Sequence, residues 1–106
     1  MLTSCDEFEN GQLYVYKRNE EVLAVFSCVS IDSSDNSIRC NVLYAIENLI
    51  RYETNEEDED DNDIYGWGFR NDEYYYGWDS DIIAGDKIWF YLNYFNLDDN
   101  SYIELA

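Results

Sequence analysis

The residues most able to do chemistry here are carboxylates, and their commonest catalytic partner is missing: the chain has 24 aspartates and glutamates and no histidine. Without histidine the usual general base, nucleophile activator and transition-metal ligand are all absent. Serine and cysteine triads are therefore excluded in their common form. No phosphate-binding glycine loop, dinucleotide fingerprint or nucleophile elbow occurs, so no cofactor is expected. Carboxylate pairs could cleave glycosidic bonds, but such enzymes need a substrate cleft that a chain of 106 residues has little volume to spare for. The expectation is a protein that is not an enzyme.

Metal binding fares little better. Asp61, Asp63 and Asp72 partly overlay a calcium loop, but Tyr65 stands where a short oxygen ligand is needed and Asp72 where a bidentate glutamate is usual. Cys5, Cys28 and Cys40 form no Cys-x-x-Cys pair. They read as reduced thiols of a cytoplasmic protein that behave as small apolar residues. No metal site is expected.

Charge is the most informative quantity. The net charge is −18, and residues 53–86 alone carry −12, with 13 acids against Arg70. Like charges this dense oppose compactness, which points to a purpose other than folding. Six basic residues cannot outweigh these acids at a phosphate backbone, so direct nucleic-acid binding is disfavoured. The opposite inference is open. Carboxylates in a row beside flat rings can fill the basic groove of a nucleic-acid-binding protein in place of phosphates and bases. Residues two apart on a strand project to one face roughly 6–7 Å apart, which suits such a row. The candidates are Glu53, Glu56, Glu57, Asp58, Asp60, Asp61, Asp63, Asp72, Glu73, Asp79 and Asp81, with Tyr75 and Trp78 as aromatic anchors. Nineteen aromatic residues exceed what one small core needs, and Tyr and Trp are enriched at binding hot spots. Trp67, Trp89, Phe26 and Phe90 are expected in the core, and some of Tyr65, Tyr74, Tyr75, Tyr76 and Trp78 outside it.

In composition alone the chain resembles the nucleic-acid mimics with which phages counter restriction and CRISPR systems, and the immunity proteins that neutralise nuclease toxins. That resemblance implies an inhibitor with a basic protein partner, a nuclease or other nucleic-acid-binding effector. The alternative is an acidic adaptor or interaction module unrelated to nucleic acid.

These residues need elements to hold them. A chain of this length and apolar content predicts one folded domain, 1–106. Leu13 to Tyr16 alternates as a strand and Val22 to Ile31 as its hairpin partner. The polar run Asp32 to Ser37 reads as a helix cap, and Ile38, Val42, Ala45, Ile46, Leu49 and Ile50 recur at helical spacing up to Arg51. An exposed acidic loop follows near 54–63. Ile64 to Phe69 and Glu73 to Trp78 read as a second hairpin turning at Arg70-Asn71-Asp72, its glycines letting large rings lie over the backbone. The triplets Tyr65-Gly66-Trp67 and Tyr76-Gly77-Trp78 reflect two similar strands rather than a repeat array. Lys87 to Phe95 is read as a strand and Ser101 to Leu105 as a short edge strand. The expected fold is α+β, an antiparallel sheet of about four or five strands with one main helix packed on a face. No membrane segment is expected, since no apolar run approaches 18 residues.

Overall fold

The fold was read from a computed structural model that describes residues 2–69, 76–94 and 100–106. Two sheets account for it. The first hairpin joins β1 (Leu13–Arg18) to β2 (Glu21–Asp32) through Asn19 and Glu20, both at positive φ (51° and 68°). Two central residues of that hand define the type I′ turn, whose twist suits a two-residue hairpin. β3 (Ser37–Ala45) then pairs with β2, and β4 (Leu49–Glu57) follows.

β3 and β4 replace the expected helix, so the α+β assignment is wrong. The structure is 61 % strand, and among the described residues no helix reaches seven residues. The reason lies in the spacing. Ile38, Val42, Ile46 and Ile50 are four apart, an interval that returns to the same face in a strand as well as in a helix. Ile38, Cys40 and Val42 are buried while Arg39 between them is exposed, which is the period of a strand. Asn48, at φ 67°, turns the chain between β3 and β4 where a helix would have had to continue.

The remaining strands are β5 (Asp63–Phe69), β6 (Tyr76–Asp81), β7 (Lys87–Tyr91) and β8 (Ser101–Leu105). The five-stranded sheet runs β7-β3-β2-β1-β8 and the three-stranded sheet β5-β4-β6. β8 is an edge strand, as its sequence suggested. β5 and β6 are not a hairpin with each other; each pairs with β4 from opposite sides. β7 stops at Tyr91 and a single 3₁₀ turn, Leu92–Tyr94, takes over.

The sheets share a core in which rings from both interlock. Trp67 of β5 lies 4.3 Å, centroid to centroid, from Phe90 of β7, and Tyr16 and Phe26 each meet Trp67 edge-on at 6.0 Å. Edge-to-face contacts of this kind stabilise by about 0.5–1.5 kcal/mol beyond the area they bury. Trp67, Phe26 and Phe90 are buried as expected, whereas Trp89 is 37 % exposed. Strand alternation explains it: Ile88 and Phe90 face inward, so Trp89 must face out. On β4, the ring of Tyr52 lies over Gly66 of β5, its register partner.

Candidate partner-binding cleft

Two turns and two edge strands meet at one acidic cleft of roughly 390 Å³. One turn is Ser33–Asn36, between β2 and β3, and it brings Asp32 and Asp35 to the rim. Short polar side chains build it: Asp32 Oδ1 accepts from the Ser34 amide (3.0 Å) and the Ser34 hydroxyl (2.6 Å). Asn36, at φ 52°, anchors its far side. The Asn36 Oδ1 accepts from the Cys5 amide (2.8 Å), its Nδ2 donates to Asn93 Oδ1 (3.0 Å), and its carbonyl accepts from the Leu92 amide (3.1 Å). The run read as a helix cap is therefore a turn, since the same side chains satisfy backbone amides in either setting.

The second turn is Asp58–Asn62, between β4 and β5. Asp58 Oδ1 accepts from the amides of Asp60 and Asn62, both at 2.9 Å, and its Oδ2 from Asn62 Nδ2 (3.3 Å). These donors, led by the Asn62 amide, hold the Asp58 carboxyl below its ordinary range. The expected loop near 54–63 is thus shorter than its charge implied. β4 runs through Glu57, Asp63 belongs to β5, and the two pair in register. Self-repulsion does not prevent this because Glu56, Glu57 and Asp63 all face water, which screens them.

Trp89 and Tyr91 of β7 and Tyr65 of β5 supply the aromatic walls, and Arg51 of β4 is the one basic lining residue among those described. Arg51 lies over the Tyr65 ring at 4.5 Å and donates from Nε to Ser80 Oγ (3.3 Å). Partial burial raises the Asp35 carboxyl, and the charges of Asp32, Asp58, Glu59 and Asp60 raise it further. Burial, then Asp58, Asp35 and Asp32, likewise raises the Tyr91 hydroxyl. The two turns therefore share one field although the sequence separates them by more than twenty residues. Five aspartates, one arginine and three rings line the cleft, a combination of groups whose chemistry suits guanidinium or ammonium ligands.

Of the sequence candidates, Asp58, Asp60 and Asp63 line this cleft. Asp61 is exposed on the same turn, and Glu56 and Glu57 on the adjoining end of β4. Glu53 is half-buried opposite Tyr65 in register. Asp81 is exposed at the far end of β6 beside the β3–β4 turn, away from the cleft. Asp79 pairs with Tyr52 in backbone register, and Trp78 precedes it in β6. Asp72, Glu73 and Tyr75 lie outside the described residues, as does Tyr74. The structure adds Asp32, Asp35, Arg51, Trp89 and Tyr91. For Trp89 the signal was present in the Ile88-Trp89-Phe90 alternation.

Among the described residues no group of three or more acidic or cysteine side chains is placed to hold a metal ion, and no helix is long and apolar enough to cross a membrane. Comparison with protein-family models, curated proteins and solved structures finds no match.

Proposed function

We propose that this chain is a stoichiometric inhibitor that occupies the basic nucleic-acid-binding surface of a nuclease or similar effector. The observation that carries the reading is the convergence of Asp32, Asp35, Asp58, Asp60 and Asp63 on one cleft walled by Trp89, Tyr91 and Tyr65. Carboxylates stand in for phosphates and rings for bases. Charge would steer encounter and raise the association rate, while ring burial at the interface would slow dissociation. The chain would act in the cytoplasm of a bacterium or of a phage-infected cell, as a counter-defence or immunity protein, without catalysis of its own.

Capture tests this. Immobilised wild-type chain and the variant D32N/D35N/D58N/D60N are exposed to the same bacterial lysate, and bound proteins are identified after washing. The reading expects a nuclease or nucleic-acid-binding effector on the wild type and its loss from the variant. Equal capture by both would place the binding face elsewhere.

A further inference from the structure

We infer that Cys28 and Cys40 are a cross-strand redox pair, able to close a reversible disulfide between β2 and β3 in the folded protein. The two are direct register partners on adjacent antiparallel strands, and both side chains face the core, at 1 % and 0 % exposure. The backbone of Cys28 is committed to the other side. Its amide donates to the Gln12 carbonyl (3.0 Å), and its carbonyl accepts from the Gly11 amide (2.7 Å). In an antiparallel strand the amide and carbonyl of one residue point the same way, so Cys28 and Cys40 face each other at a non-hydrogen-bonded position. That is the closer of the two pair types, with Cα atoms about 4.5 Å apart. A disulfide needs a Cα separation of roughly 4.4–6.8 Å, so the sulfurs can join without separating the strands.

The third thiol has no such partner. Cys5 sits in a 3₁₀ turn, Cys5–Glu7, with its Sγ toward Asp6. Of the pair, Cys28 is the thiol an oxidant reaches first. Its Sγ lies 3.7 Å from Oδ1 of Asn10, which is exposed, whereas Cys40 is sealed within the central part of the sheet. With glutathione disulfide as oxidant, the Cys28 thiolate attacks one sulfur of the reagent and expels one glutathione, which takes up the proton Cys28 gave. The Cys40 thiolate then attacks Cys28 Sγ in the mixed disulfide, expelling the second glutathione with the other proton. Two electrons pass from the cysteine pair to the reagent. Burial raises both thiols, Cys40 most, so closure is slow at neutral pH and quickens about tenfold per pH unit below the thiol range. The bond closes the segment 29–39 at its base. That segment carries Asp32 and Asp35, so the thiols set the stiffness of one rim of the cleft.

The test uses the whole chain, equilibrated at pH 8 with glutathione disulfide in excess over glutathione. Free thiols counted after unfolding should fall from three to one, and the intact mass by about 2 Da. Trypsin cuts after Arg18, Arg39 and Arg51, so the linked product should join peptide 19–39 to peptide 40–51 and return to separate peptides with dithiothreitol. The oxidised chain should melt higher by roughly 5–15 °C, because the bond restricts the unfolded ensemble. Cys40→Ala should stop at a glutathione adduct on Cys28. Should that variant fold poorly, Cys5→Ala keeps the pair and should end with no free thiol. Retention of all three thiols at equilibrium, or a crosslink that contains Cys5, would overturn the inference.

Discussion

Gly66→Ala probes the packing between β4 and β5 at its tightest point. A Cβ at this position would stand 2.6 Å from both Cζ and Oη of Tyr52 and 3.1 Å from its Cε1. Ordinary carbon contacts begin near 3.5 Å, so the ring must retreat by roughly 0.9 Å. It has little room, being 2 % exposed. Overpacking of this size costs about 1–3 kcal/mol, and alanine's smaller unfolded-state entropy returns about 0.4–1 kcal/mol. The net expectation is a loss of about 1–2 kcal/mol, seen as a fall of roughly 5–15 °C in Tm. Urea unfolding should show a lower midpoint at unchanged slope. The double variant with Tyr52→Leu isolates the cause, since without the ring the added methyl has nothing to strike. Its total loss should be smaller than the sum of the two single losses. Wild-type stability in Gly66→Ala, or full additivity in the double variant, would refute the reasoning.

Three further perturbations follow from the same geometry. Glu20→Gly should stabilise by about 0.5–1 kcal/mol, because a non-glycine residue at φ 68° costs about 1–2 kcal/mol and glycine's extra chain entropy returns part of it; a lower Tm would contradict this. Asp35→Asn should raise stability at pH 7. The folded state holds the Asp35 carboxyl high, so its contribution is present below about pH 4 and lost as pH rises through the folded value; urea unfolding at pH 4 and 7 should find the variant less pH-dependent than the wild type. Burial raises Cys40, so stability present below about pH 9 is lost above it as the unfolded thiol ionises, by about 1.4 kcal/mol per pH unit. Cys40→Ala should flatten that alkaline decline when the two chains are compared from pH 8 to 10.

The parts of the fold readable from sequence are those where only one period fits. Leu13 to Tyr16 alternates without ambiguity, and Asn19 marks a turn, so the β1–β2 hairpin was legible. Ile38 to Ile50 was not, because residues four apart satisfy helix and strand alike. Only Asn48 hinted at a break. The same ambiguity hides part of the cleft. Asp32 and Asp35 suit a helix cap by residue type, but as a turn they face the Asp58–Asn62 turn across the cleft. The pairing of β5 and β6 with β4 rather than with each other is a long-range choice that local turn chemistry does not encode. The acids of β4 and β5 are legible as a cluster from charge density alone, and Tyr65 as a ring outside the core; Trp89 is not, because a large ring in an apolar run suits the core equally well.

The most direct test of the inhibitor reading is competition on the captured partner. A labelled DNA duplex is bound to the partner, and the chain is titrated in at several duplex concentrations and two salt levels. The account predicts full displacement, with an apparent inhibition constant that rises in proportion to free duplex and an association rate that falls steeply with salt, since exposed charges are screened beyond about 8–10 Å. A ternary complex of partner, chain and duplex, formed at a rate indifferent to salt, would contradict it.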